Sequence, residues 1–477
     1  MQQAFGRKLF SSFSLSSSKN NEMSFLTNRL RHFTWAWFTV FLLSQPMSTG
    51  GIALVLGQLP FQFDGLKTIG LIFYIADVVL FFLVVIAMIL RYTLAGASFR
   101  YTVTHPTECL FMPTSQLAFA TIVMGMGLYA EPHTAPWCIQ AMLSSFAQWT
   151  IFLLLAHAPS TFTLSTVESQ KSNHTTQNLS PGFILPIFPS MLVGTIANSI
   201  TKSSQLKQSE SLNIAIAGLT FQGLGFLVSC FVYAMLLRRL MQFGLPEPSH
   251  RTGLYIAAGP CGFTGLALLG MARNASNFLP EGALSPMFPS SDDLAKLLLV
   301  LGLLAALLLW QLAAFWWLLA TFSILSAVGK SFLTVQGRRN LRERPREEVH
   351  CFSMSWWASI FPISGFCICT IYIGQALDNS RAVGWFATGV AIYLVCAYFT
   401  VLAFMIEAVV RGRIMRTGRD EDKPMPRLSR NQTRNRKSGV TSTVNSGTFR
   451  DVERSASDET MVDVQQGIVS SSHNEQK

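Results

Sequence analysis

The sequence predicts an all-α integral membrane protein with ten transmembrane helices, and three observations predict it. Half of the 477 residues are hydrophobic, only 13% are charged and the mean hydropathy is +0.37, an apolar surplus that a soluble domain has no interior to absorb. Ten apolar segments follow one another, at 34–59, 68–90, 109–130, 137–158, 181–201, 211–237, 252–272, 297–328, 352–377 and 382–410. Each is near or above the roughly 20 residues that cross about 30 Å of hydrocarbon. Interior prolines, Pro46, Pro113, Pro186, Pro189, Pro260 and Pro362, fall only in the odd-numbered segments.

The membrane domain is expected to occupy residues 33–411. Residues 1–32 are serine-rich and basic and lack the apolar core of a cleaved signal peptide, so a disordered cytosolic segment is expected there. A mitochondrial transit peptide, or a start at Met23, is the alternative. Residues 412–441 hold nine basic and three acidic side chains, and the chain then turns rich in Ser, Thr, Asp and Glu. Such a tail, 412–477, buries too little apolar surface to fold alone. Its basic part is suited to anionic lipid and its Ser/Thr part to phosphorylation.

Orientation follows from Lys and Arg. With a cytosolic N-terminus the inner loops hold twelve of them and the outer loops six, namely Lys67, Lys202, Lys207, Arg273, Lys296 and Arg381. Both termini are therefore expected in the cytosol. The sequon at Asn274 then lies outside and is open to glycosylation, whereas those at Asn173 and Asn178 lie inside. The net charge of +11 sits in loops and tails rather than on a basic, aromatic face, so no nucleic-acid partner is expected. Eight cysteines without a CxxC pair give no zinc site or disulfide framework. No HExxH or GxSxG motif is present, and Asp77 has no second ionisable group nearby in the sequence, so neither an enzyme nor a bound cofactor or metal is expected.

A repeating pair of one broken and one regular helix is the simplest reading of the proline pattern. Regular helices suit a lipid-facing ring; broken helices rich in small residues suit an inner ring around a path. The odd segments contain no charge, and candidates to line the path are Thr49, Thr114, Ser115, Ser190, Asn198, Thr264, Ser359 and Ser364. A conduit for metal cations would carry intramembrane carboxylates, so this inventory favours anions, held by hydroxyls and helix N-termini. The alternative for each hydroxyl is a bond to its own helix backbone. In segment nine, Phe361, Pro362 and Gly365 set a ring beside a helix breaker and a residue without a side chain, which makes Phe361 a candidate gate. Asp77, mid-way along segment two, costs about 2.5–3.5 kcal/mol to bury in lipid and needs a partner. A hydrogen bond to an inner helix and a proton relay are the two readings.

FTWAWFT at 33–39, MSTGG at 47–51 and SWWASIFP at 355–362, set on ten spans, resemble the tellurite-resistance/dicarboxylate transporter family of the voltage-dependent anion channel superfamily. That family includes fungal malic acid transport proteins, sulfite efflux pumps and the slow anion channels of plant guard cells, and FTWAWFT leans towards the malic acid branch. The resemblance implies five helical hairpins around a central pore, with the odd helices kinked inside. It implies that Phe361, in the W-W-x-x-x-F-P run, closes the pore, and that the assembly is a homotrimer with a pore in each protomer. One departure is Val40 to Pro46, several residues more than the family pattern, an insertion or an unremoved intron that shifts half of the first inner helix. The expected function is passage of small organic anions, malate or another C4-dicarboxylate, across the plasma membrane through a hydroxyl-lined pore. A sulfite or other small inorganic anion efflux pump is the alternative.

Overall fold

The computed structural model describes residues 35–94, 108–130, 137–148, 179–202, 206–246, 248–282, 287–288, 290–337 and 354–410. The terminal segments 1–32 and 412–477, the sequons at Asn173 and Asn178 and the basic run at 338–346 lie outside them. Among the described residues every regular element is a helix. In chain order these are α1 (Trp35–Gln58), α2 (Leu66–Leu94), α3 (Thr114–Gly125, closed by a π-turn at Met126–Ala130), α4 (137–148), α5 (Phe188–Thr201), α6 (Gln208–Phe243), α7 (Ala258–Arg273), α8 (Ser291–Gly337), α9 (Phe361–Ala376) and α10 (Arg381–Val410).

Six stretches among the described residues are long and apolar enough to cross a bilayer, which makes the chain an integral membrane protein. Burial divides them. In His250–Arg273 and Ser355–Ala376, 94% of the apolar window is buried, against 11–33% in Leu66–Leu90, Gln208–Phe243, Ser291–Ser326 and Arg381–Ala408. The two buried stretches belong to odd segments and the four exposed ones to even segments. Exposed Ile72, Phe82, Phe231, Leu308 and Ile392 stud the even helices, as lipid-facing surfaces require, while in α5 all but Ser199 is buried.

Contacts explain the division. The odd helices touch in a cycle: α1 meets α3, α3 meets α5, α5 meets α7, α7 meets α9, and α9 returns to α1. Among the described even helices, α2 lies against α1 and α3, α6 against α5 and α7, α8 against α7 and α9, and α10 against α9 and α1. Close approach within the cycle depends on small residues, since helices in lipid gain from van der Waals contact rather than from a hydrophobic drive. At the α7–α9 crossing a Cβ on Gly262 would lie 2.6 Å from the backbone nitrogen of Phe366.

The prolines act differently from the mid-span kinks that the segment boundaries suggest. Pro189 and Pro362 stand at the second positions of α5 and α9, Pro260 at the third of α7, and Pro113 immediately before α3. A first-turn amide has no partner within its helix, so a proline there forfeits no hydrogen bond. A short helical piece precedes each, Glu108–Phe111, Pro181–Ile184, Pro248–Ala257 and Met354–Ser359. In these four segments a short helical piece therefore passes into the α-helix near the proline, directly at Ala257–Ala258 and across one to three turn residues in the others. Pro46 alone of the six lies beyond the first turn of a helix, α1, which absorbs residues 40–46 without interruption. At 47 residues α8 runs well past the predicted apolar segment 297–328; its length, about 70 Å, exceeds any bilayer. Asp292 and Asp293 in its first turn favour its positive end.

Candidate functional site

Three phenylalanines from successive odd helices meet inside the cycle. Phe361 stacks on Phe263 with ring centroids 4.8 Å apart and planes at 27°, and Phe188 closes on both at 5.9 and 5.7 Å. All three are fully buried. Gly365, one turn after Phe361, gives Phe263 its place, since a Cβ there would stand 2.6 Å from that ring. Gly51 does the same for Phe361 and Ser364, at 3.4 and 2.9 Å, which is the physical content of the glycine pair in MSTGG.

The rings separate two small cavities. On the side of the helix breaks lies one of about 20 Å³, lined by Met47, Thr114, Phe188, Ile256 and Phe361 among others. On the side where the odd helices end lies one of about 40 Å³, lined by Leu54, Met124, Asn198, Lys202, Phe263 and Tyr372 among others. Every odd segment contributes to both. One holds little more than a single water and the other a few, so the route between the two is shut by aromatic carbon.

The second cavity opens past Gln58, Lys202 and Tyr372 into a mouth of about 310 Å³ that also takes in Gln62, Lys67 and Gln375. Lys202 Nζ donates to the Tyr372 hydroxyl at 2.7 Å and lies 5.1 Å from the ring centroid. The Arg273 guanidinium is 5.3 Å from the same centroid and donates to Gln375 Oε1. Among the described residues no acid lines the mouth, so it presents positive charge to an arriving ion.

The sequence-stated candidates separate accordingly. Thr114 and Asn198 line the cavities. Thr114, Ser115, Ser359 and Ser364 bond to backbone carbonyls one turn back. Thr49 bonds to Gln45 O and reaches Tyr398 on α10, and Thr264 accepts from Gln222 on α6, so both face outward. Ser190 is buried in the first turn of α5. The backbone alternative thus takes four of the seven hydroxyls entirely. Asp77 lines neither cavity; its Oδ2 accepts from Thr121 on α3 at 2.9 Å, across the gap that Gly50 leaves, and its Oδ1 has no partner among the described residues. Asn274 also differs from expectation. Its Nδ2, the atom a glycan would occupy, donates to Asn198 O and Oδ1 at 3.1 and 2.9 Å.

Sequence reasoning passed over Phe188, Phe263, Lys202, Tyr372 and Arg273. A signal existed for the first: Phe188-Pro189 repeats Phe361-Pro362 on another odd segment. Lys202 and Arg273 immediately follow or end odd helices, and were readable there only as loop charges.

Comparison with known proteins agrees with this arrangement. The family model described as voltage-dependent anion channel matches residues 32–406. A malic acid transport protein of Schizosaccharomyces pombe is 32% identical over 84% of this chain and 84% of its own length. A putative malic acid transport protein of the same yeast is 31% identical over 83% and 84%. A sulfite efflux pump of Arthroderma benhamiae is 24% identical over 79% of this chain and 91% of its own length. A family model matched over most of the chain and a relative at 32% identity, on an all-helical membrane domain with a basic mouth, place this chain in the voltage-dependent anion channel family, among the anion transporters.

Proposed function

We propose that the chain carries small organic anions, a C4-dicarboxylate such as malate first among them, along the axis enclosed by the odd helices. The observation that carries this reading is the stack of Phe361 on Phe263 between the basic mouth and the cavity at the helix breaks. Lys67, Lys202 and Arg273 raise the local anion concentration at the mouth, and beyond Lys202 the walls of the two cavities carry no further charge among the described residues. Displacement of Phe361, with Phe188 and Phe263, joins the two cavities and opens the route. The full arrangement is read as five helical hairpins, ten spans over 33–411, with both termini in the cytosol and the basic mouth outside, in the plasma membrane. A trimer, one pathway per protomer, is part of the same reading. Asp77 is assigned to holding α2 against α3 rather than to relaying protons, because it lies away from both cavities.

Preference for malate rests on the two yeast relatives at 31–32% identity. Sulfite is the second reading, favoured by the efflux pump at 24%. Radiolabelled malate uptake and sulfite resistance, measured in one host lacking both activities, separate them. Malate uptake that appears on expression supports the first reading; sulfite resistance without malate uptake replaces it with the second.

A further inference from the structure

Two cations converge on one phenol ring at the mouth with no carboxylate to hold them there. Among the described residues neither Lys202 nor Arg273 is within ion-pair distance of an acid; Lys296 pairs with Asp293 elsewhere. They stand no further apart than their two distances to the Tyr372 centroid, 5.1 and 5.3 Å, combined. Like charges that face one mouth repel, the more so the nearer they lie within that bound, and an anion between them relieves the repulsion.

The Tyr372 hydroxyl points the same way. It accepts from Lys202 Nζ at 2.7 Å and from Asn198 Nδ2 at 3.4 Å. Both lone pairs are then used, and its own hydrogen has no acceptor among the described residues. Tyr372 is 4% exposed, and it lines both the inner cavity and the mouth. An ammonium and a free O–H at a neck are the donor set of a carboxylate or similar oxyanion. Arg273 lies on the mouth side of the neck, engaged only with a neutral amide, Gln375, and the ring face. Its remaining N–H groups form a fork that fits a second carboxylate.

We infer that Lys202, Tyr372 and Arg273 form a substrate-selecting site for a dianionic dicarboxylate at the outer mouth. One carboxylate takes the Lys202 ammonium and the Tyr372 hydroxyl at the neck, and the other takes Arg273 at the rim. This rests on the dicarboxylate reading above. A monocarboxylate of equal length engages the neck alone, so Arg273 sets the preference for two charges over one.

The test uses the full chain in liposomes, with radiolabelled malate and butyrate as probes and initial rates giving KM for each. Loss of one charge-assisted contact at a partly wet site is expected to raise KM by about tenfold. Arg273→Gln is expected to raise the malate KM by about that factor and to move the malate-to-butyrate KM ratio with it. Lys202→Gln and Tyr372→Phe are expected to raise both KM values, and Lys202→Arg to recover most of the loss. Arg381→Gln removes an outer charge away from the mouth and serves as the control for a general field effect. If Arg273→Gln leaves the malate KM unchanged, or shifts malate and butyrate alike, or if Arg381→Gln matches it, the site is overturned while the dicarboxylate reading stands. If the wild-type protein moves sulfite and no malate, both fall together.

Discussion

The phenyl ring of Phe361 has two kinds of neighbour, the rings of Phe263 and Phe188 that hold it and the cavity at the helix breaks that it lines, with Phe263 lining the other cavity behind it. Stacked rings are worth about 0.5–1.5 kcal/mol beyond their buried area, so the closed arrangement is held firmly enough to be populated and weakly enough to be displaced. Asp77 is the opposite case, a buried carboxyl held by Thr121 at 2.9 Å in the space that Gly50, lacking a side chain, leaves for it. Asp77→Asn keeps an acceptor for Thr121 and is expected to retain malate uptake within about twofold, whereas Asp77→Ala removes the bond between α2 and α3, leaving Thr121 only Ala118 O, and lowers thermal stability by about 1–3 kcal/mol. Uptake abolished by the Asn variant in well-expressed protein would restore the proton-relay role. At Asn274 the engaged amide nitrogen leads to the expectation of an unglycosylated asparagine, checked by mobility on a gel before and after a glycosidase. A shift that vanishes in Asn274→Gln would show that the contact to Asn198 opens in the cell.

At the scale of helices, two features were readable in advance and one was not. The odd and even segments differ in proline and in burial for one reason: helices that pack on helices all round can use short pieces and restarts, because neighbours cover the exposed backbone, and lipid-facing helices cannot. That made Phe361 on segment nine and the buried character of Ser355–Ala376 legible from composition. The restart itself was not, since a proline in the middle of an apolar run looks the same whether it bends one helix or begins another. Nor did composition show which way a hydroxyl points, and Thr49 and Thr264 turn outward to Tyr398 and Gln222. Gly262 tests the packing directly. Gly262→Ala places a methyl group against α9 backbone, which cannot yield as a side chain can, and is expected to destabilise by about 1–3 kcal/mol. Thermal unfolding in detergent reads it, and an unchanged Tm would mean that α7 and α9 stand further apart than described here.

Across the whole molecule the charge pattern and the fold give one polarity. The odd helices begin at their breaks on one side and end beside Lys202 and Arg273 on the other, the side expected to be outside. A cysteine at Gln375, in the mouth, is therefore expected to react in intact cells with a membrane-impermeant thiol reagent. Labelling only after permeabilisation would invert the topology. The cluster at the mouth escaped sequence reading because Lys202, Arg273 and Tyr372 come from three separate segments, and only folding brings the two cations to one ring. The central claim is that anions pass along the axis of the odd helices and that Phe361 shuts it. Anion flux through purified protein in liposomes, wild type against Phe361→Ala, measures this most directly. Flux several-fold above wild type is expected when the ring is removed; flux unchanged or reduced, in protein of normal yield and Tm, would contradict it.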